Sequence, residues 1–288
     1  MTRLLFFTLL TVGGFLFVAI VSSVSGVRNA VPPETAAKPQ PLRIAFYTVG
    51  LGVGYFNLAL DLFNSASQYF CTNAPIQVDF FVFSNQPAPD DLPSNYHLIP
   101  TVKRGWPYDS QDRFKWMFQH AADDPALDYI LWMDADQRFE RPVCYDMLGE
   151  LVAVAHSHYV DSQKDGYPYE SRPESRAYVP AENGRVQNYF SCHFFGGTYS
   201  KMMLALRTMY EWLEEDLKKD IHARVEDESY LNAYFYYNFP TVVLSRIFVW
   251  PEGYENKLQW VLNRHGGRDN AAAIARYMKE EDKPRSDE

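Results

Sequence analysis

Cysteine is scarce in this 288-residue chain and is not arranged for a metal. Cys71, Cys144 and Cys192 are its three cysteines, and none belongs to a Cys-X-X-Cys pair. A structural zinc site is therefore not expected, and the odd count leaves at least one thiol without an intrachain partner. No Asn-X-Ser/Thr acceptor occurs, so the sequence is silent on N-glycosylation. Positive charge is also short: 27 Lys and Arg face 36 Asp and Glu, giving a net charge of −9 and a pI of about 5.3. That balance disfavours a nucleic-acid polyanion as partner. It does not disfavour a nucleotide held through a metal ion, which supplies positive charge locally. Internal repeats are missing. Gly50, Gly52 and Gly54 do not fit the dinucleotide fingerprint, which argues against a Rossmann oxidoreductase.

What the chain has in quantity is apolar and aromatic surface. Hydrophobic residues make up 47% and aromatics 16%, with 20 Tyr, 20 Phe and 6 Trp. This supports a packed globule, with room for one sizeable domain or two small ones. An apolar run from Leu4 to Val21 follows Arg3 and barely suffices to span a bilayer. It fits either a cleavable signal peptide or an uncleaved type II anchor, and its length favours the anchor. We therefore expect residues 1–24 to anchor the chain, 25–41 to form a Pro/Ala-rich stem, 42–268 to be one lumenal domain, and 269–288 to be a C-terminal helix and charged tail.

Within the domain, strands and helices alternate. Leu42–Val49 reads as a first strand, followed by the glycine turn and a helix from Tyr55 to Phe70. Gln77–Phe83 reads as a buried strand, Trp106–Ala122 as a helix, and Tyr129–Met133 as a strand. Leu148–His158 is ambiguous between helix and strand. Phe190–Phe195 is apolar, Tyr199–Leu217 and Asp227–Asn238 read as helices, Thr241–Val249 as a late strand, and Asp269–Lys279 as a peripheral helix. This pattern predicts an α/β fold with a mostly parallel central sheet flanked by helices.

The most informative stretch is Asp128-Tyr-Ile-Leu-Trp-Met-Asp134-Ala-Asp136-Gln137. An apolar strand ends in two carboxylates flanking one small residue. Asp134 and Asp136 can present oxygens to one hard cation, manganese or magnesium, which in turn bridges a diphosphate. The carboxyl end of a strand is where open α/β sheets bind ligands. The bland alternative is a solvated turn after a buried strand.

Further blocks accompany it in order: Tyr169-Glu-Ser-Arg-Pro-Glu-Ser-Arg-Ala-Tyr-Val-Pro180, Phe194-Phe-Gly-Gly197 and Asp227-Glu-Ser-Tyr-Leu-Asn232. Together with Asp134-Ala-Asp136 they resemble the family 6 retaining glycosyltransferases, which include the blood-group A and B transferases and the α-1,3-galactosyltransferases. The resemblance runs from about Leu42 to Trp250. It implies a GT-A fold, a UDP-sugar donor, manganese, and transfer with retention to a glycan acceptor on a glycolipid or glycoprotein, usually as an α-1,3 linkage to a β-galactoside. It also implies a single-pass type II protein of the Golgi membrane.

The resemblance assigns roles residue by residue. Asp134 and Asp136 fall on the metal ligands, with Asp134 also toward the donor. Arg113 falls beside the donor and the metal-binding carboxylate, and Tyr55 near the uracil. Glu228 falls beneath the donor's anomeric carbon, with Asp227 positioning donor hydroxyls. His156 and Trp250 fall on the acceptor side. Ser191 and His193 fall on two positions that tune donor choice, and a bulky histidine at the second favours galactose over N-acetylgalactosamine. Each has an ordinary structural alternative, such as a surface ion pair for Arg113, core packing for Tyr55 and Trp250, or a dipole-favoured helix start for Asp227 and Glu228. Departures fall on the acceptor side, where Val225-Glu226 replaces a Trp-His pair and Pro251 follows Trp250. The family's basic C-terminal segment is poorly matched, with Lys257, Arg264 and Arg268 as candidates. Rival readings are the same machinery with another UDP-hexose, or a lumenal UDP-sugar- or carbohydrate-binding protein without turnover.

Overall fold

The structure is a computed structural model that describes residues 40–159, 166–180, 188–246 and 248–252, together with the backbone of three short strands. Two of these, β1 (Thr11–Val12) and β2 (Phe15–Leu16), pair antiparallel within a unit spanning Met1–Pro39. The rest of the expected anchor and most of the stem lie outside the described residues. No helix among the described residues is long and apolar enough to cross a membrane.

The unit Gln40–Glu288 carries everything else. It opens with β3 (Leu42–Gly50), α1 (Val53–Tyr69), β4 (Ile76–Ser84) and β5 (Tyr96–Pro100). Next come α2 (Tyr108–Gln111), α3 (Arg113–Ala121), β6 (Tyr129–Met133), β7 (Gln137–Phe139) and β8 (Leu151–Ala155). Then follow β9 (Phe190–Thr198), α4 (Tyr199–Leu217), α5 (Glu226–Tyr237), β10 (Val242–Leu244), β11 (Val249–Pro251) and β12 (Ala275–Tyr277). Seven strands form one sheet in the order β10-β8-β9-β6-β3-β4-β5, and β11-β12-β7 form a smaller one. In the large sheet only β9 runs against its neighbours.

Alternation along the central strands sorts side chains onto two faces, because successive residues of a strand point opposite ways. Tyr47, Ile130, Trp132 and Phe195 join one core cluster, with residues of α3, α4 and α5. Phe46, Leu131, Met133 and Phe194 join the other, with α1. Helix α1 buries Phe56, Ala59, Leu62, Phe63 and Ala66, the three-to-four-residue spacing of one helix face. A disulfide joins Cys71, just past α1, to Cys144, while Cys192 is buried and free.

The expected strands and helices from Leu42 to Tyr237 form, with three refinements. The ambiguous Leu148–His158 segment contains strand β8, whose five residues are all buried. The helix expected over Trp106–Ala122 starts later and is divided into α2 and α3 around Asp112. Tyr96–Pro100 adds an edge strand beside β4 that the sequence reading passed over. The late strand splits between the two sheets as β10 and β11. In the helix expected over Asp269–Lys279, residues Ala275–Tyr277 instead pair as a strand with β7 and β11, and the remainder lies outside the described residues.

Phe194-Phe-Gly-Gly197 has a packing explanation. A Cβ on Gly196 would come within 2.5 Å of Leu131 Cδ2 and 2.8 Å of the Ile130 carbonyl oxygen, and one on Gly197 would overlap the Glu150 carbonyl. These glycines let β9 lie close between β6 and β8. Gly197→Ala is expected to destabilise the fold by about 2–3 kcal/mol, read as a lower midpoint in denaturant unfolding. An unchanged midpoint would show that β8 and β9 can part without cost.

Candidate functional site

The site is assembled at one edge of the large sheet, where β6 and β8 end and antiparallel β9 begins. Asp134 and Asp136 follow β6, His156 follows β8, and Ser191 and His193 belong to the first turns of β9. Arg113 starts α3, and Asp227 and Glu228 lie in the first turn of α5.

A buried arginine ties three of these segments together. Arg113 is only 8% exposed. Its Nη1 donates to Asp134 Oδ1 at 2.8 Å and its Nε to the Ser110 carbonyl at 2.9 Å. Nε also lies 3.2 Å from Asp227 Oδ2. The guanidinium stacks over the Trp132 ring at 4.6 Å, and that indole donates Nε1–H to Asp134 Oδ1 at 3.0 Å. Burial alone would lower the arginine's pKa, but the Asp227 and Asp134 charges outweigh it and raise it above the ordinary value. Arg113 is thus a fixed cation here. Asp227 is raised by burial, with Arg113 pulling against that.

A bulge in β9 shapes the floor. Ala153 of β8 pairs with Phe195, while the next residue, Val154, pairs with Ser191. Cys192, His193 and Phe194 are therefore pushed out of the β8 ladder, and bulges of this kind re-aim groups beside sites. The freed polar groups find partners, as buried backbone must. Cys192 N–H donates to Glu228 Oε2 at 3.0 Å, and His193 N–H donates to Ser191 Oγ at 3.2 Å. The His193 carbonyl accepts from Asp134 N at 3.2 Å and from Gln137 Nε2 at 2.9 Å.

Asn232, one turn after Glu228 on α5, fastens the helix to β9. Its side-chain amide accepts from Phe190 N and donates to Phe190 O, both at 2.8 Å, and also donates to the Glu228 carbonyl at 2.8 Å. The entry to α5 is pinned as well. Buried Glu170 accepts from Arg224 N at 2.9 Å and is held by Arg172, which also donates to the His222 carbonyl. Glu226 sits at φ +29°, a region uncommon for residues with a side chain and typical of over-determined sites.

Glu228 is the chemically distinctive group. Burial pushes its pKa up to about 8. The Cys192 amide and the Tyr189 hydroxyl pull it down, and the Asp227 and Asp134 charges push it up again. His156 Nε2 lies 3.8 Å from Glu228 Oε2. Burial, then His193, His158 and Arg246, lower the His156 pKa to about 2, so this ring is neutral. Its Nδ1 accepts from His158 N at 3.1 Å. The proton therefore resides on Nε2, aimed toward Glu228.

The expected residues divide accordingly. Arg113, Asp134, Asp227, Glu228, His156, Ser191 and His193 are brought to this edge in linked contacts. Asp136 sits half-buried two residues from Asp134. Tyr55 lies in the first turn of α1, half-buried against the core, beyond Gly52, whose φ of +85° makes the turn. Trp250 is 1% exposed in β11, so its indole belongs to packing and offers no open face to a sugar. Lys257, Arg264 and Arg268 lie outside the described residues. Sequence reasoning missed Trp132, Cys192, Tyr189 and Asn232. Only Trp132 and Asn232 lay inside blocks it had singled out.

The donor set of Asp134 and Asp136 fits a hard cation that keeps water and substrate oxygens as its other ligands, rather than an all-protein cage. Asp134 Oδ1 is already committed to Arg113 and Trp132, which leaves Oδ2 to face the cation. The fold and this edge define an α/β protein with a carboxylate cluster, organised around one buried arginine, where the strands end.

The model of glycosyltransferase family 6 matches residues 38–263. The chain belongs to that family, and its sheet and flanking helices are of the GT-A kind. It is 29% identical to the histo-blood group ABO system transferase 1 of Rattus norvegicus over 71% of this chain and 61% of that protein. It is 28% identical to the human globoside alpha-1,3-N-acetylgalactosaminyltransferase 1 over 74% and 63%. It is also 28% identical to the O-antigen biosynthesis glycosyltransferase WbnI of Escherichia coli over 61% and 75%. The matched stretch thus spans less than two thirds of the first two relatives.

Glu228 generates a stability prediction. Its folded pKa lies above its ordinary value of 4.5, so the folded state binds more protons and loses stability as pH rises from about 4.5 to about 8. With chelator present, Glu228→Gln should match the parent near pH 4.5 and exceed it by on the order of 1–3 kcal/mol above pH 8. Parallel pH–stability curves for the two proteins would refute the buried-carboxyl assignment.

Proposed function

We propose that this chain is a metal-dependent, retaining hexosyltransferase. It moves galactose, by preference, from a UDP-sugar to a glycan acceptor, forming an α-1,3 linkage on a β-galactoside. The observation that carries the reading is the largely buried Glu228 carboxyl, held by the Cys192 amide beside the Arg113–Asp134–Asp227 cluster. Retention needs a covalent glycosyl–enzyme intermediate or same-face attack by the acceptor, and a carboxylate on the far face of the donor sugar can serve as nucleophile or stabilise oxocarbenium character. Family membership and relatives named as transferases, one of them an alpha-1,3-transferase, support it.

Asp134 and Asp136 would hold manganese or magnesium, which binds the diphosphate and neutralises charge on the departing UDP. Arg113 orients Asp134 and Asp227, and Asp227 in turn receives donor hydroxyls. Glu228 is kept protonated partly by the Asp134 and Asp227 charges, so neutralising these on donor binding favours the ionised form that the chemistry uses. His156, neutral and carrying its proton on Nε2, suits a hydrogen bond to an acceptor hydroxyl. His193 places a bulky ring 5.8 Å from that of His156, which supports an unsubstituted hexose. Such a steric difference is worth roughly 1–3 kcal/mol. The Cys71–Cys144 disulfide supports passage through an oxidising lumen, in keeping with an N-terminal anchor and residence on the Golgi membrane.

The test is UDP release by the purified protein from a panel of UDP-sugars with manganese. UDP-galactose should give the highest rate, and Asp136→Asn and Glu228→Gln should each lower it by roughly 10²-fold or more. Metal-dependent UDP binding without release from any donor, with β-galactosides added, would make the chain a binder. Absence of metal-dependent UDP binding would overturn the reading altogether.

A further inference from the structure

Among the described residues, most arginines are neutralised. Arg43, Arg104, Arg138, Arg172, Arg176 and Arg207 each pair with a carboxylate. Arg141, Arg224 and Arg246 have no such partner among the described residues; Arg246 meets Tyr159 directly, and the charge of Arg224 acts on it. Half-buried Arg246 donates from Nη1 to the Tyr159 carbonyl at 2.8 Å, which leaves the rest of its guanidinium uncommitted. Exposed Arg224 is fixed through its backbone by Glu170, four residues before Glu228. Its charge acts on the Tyr159 hydroxyl against that of Glu228.

Tyr159 is itself placed as a platform. Its half-buried ring meets His156 edge-on at 4.8 Å and Tyr189 at 5.1 Å. His156 lies 3.8 Å from Glu228. The aromatic wall, with Arg246 on the Tyr159 carbonyl, thus reaches Glu228 through His156, and Arg224 precedes Glu228 by four residues in the chain. Amphipathic rings suit the C–H face of a sugar, and a planar guanidinium suits a carboxylate or sulfate. In a protein of net charge −9, two arginines that have no carboxylate partner among the described residues favour a ligand of the opposite charge.

We propose that the acceptor is an acidic glycan, its carboxylate or sulfate group held by Arg224 and Arg246 while the reacting sugar lies against Tyr159 and His156. This deepens the transferase reading and rests on it. The anion offsets the two cations, and the cations allow it to approach Asp227 and Glu228, whose charges would otherwise repel it.

The experiment uses the full-length protein with whichever UDP-hexose it hydrolyses. Acceptor-dependent transfer is compared for a neutral β-galactoside disaccharide, the same disaccharide carrying a sulfate ester, and one with a uronic acid in place of the second sugar. The readout is the ratio of acidic to neutral kcat/KM. We expect at least a tenfold preference for an acidic acceptor at low salt, shrinking at high salt and falling toward one in Arg224→Gln with Arg246→Gln. The sulfate and uronate arms identify which anion is read. A ratio of one or less in the parent overturns the proposal, as does a preference that survives the double substitution, whatever its absolute rate. A raised donor KM with an unchanged ratio reassigns the arginines to the UDP diphosphate. Loss of donor hydrolysis from every UDP-hexose in the parent would instead sink the transferase reading.

Discussion

The Arg113 guanidinium is the constraint on which the rest of the site depends. Asp134 and Asp227 come from a strand end and a helix start that are remote in sequence, and both are largely withdrawn from water. Two carboxylates at this depth would repel each other and α5 would not dock. Removing one partner from such a buried set typically costs about 3–5 kcal/mol, because an uncompensated charge stays behind. The arginine resolves this with one planar cation that reaches both, supported beneath by Trp132. A lysine would supply the charge but neither the fork nor the stacking face.

The β9 bulge is the second constraint, and it works with the first. The ion cluster fixes α5 at Asp227. Asn232 fixes it one turn later by pairing with both backbone groups of Phe190. Between these points Glu228 can only face the extruded Cys192, whose N–H no longer serves the β8 ladder. A backbone irregularity in one strand and a polar side chain on one helix together set the position of a single carboxyl.

Much of this was legible in the sequence, and the divide has physical causes. Buried strands ending in carboxylates, such as Tyr129–Met133 before Asp134, announce themselves by composition. Long amphipathic helices such as Tyr199–Leu217 do so by period. The Asp227–Asn232 block brought Asp227 and Glu228 into view, and the family resemblance did so for Arg113. The bulge was not legible, because Ser191-Cys-His-Phe194 has no composition that separates an extruded run from a paired one. Cys192 acts through its backbone, which leaves no mark in side-chain identity. Trp250 shows the converse limit, since an indole suited to stacking on sugar is equally suited to filling a small sheet, and burial decides. The strand at Ala275–Tyr277 exists only through its partners β7 and β11, which no local pattern discloses.

Charge balance ties the site to its chemistry. Asp134, Asp136, Asp227 and Glu228 share the edge with one fixed cation, Arg113, so these residues by themselves repel a nucleotide diphosphate. Part of that excess is relieved by holding Glu228 protonated, which also keeps it unreactive. On the proposed reading, a donor arriving with a divalent cation would reverse both conditions at once, because positive charge beside Asp134 and Asp136 would attract the diphosphate and lower the cost of ionising Glu228. On that reading, the burial that makes Glu228 a poor anion would make its ionisation conditional on an occupied donor site, so the reactive carboxylate would form only where donor is bound.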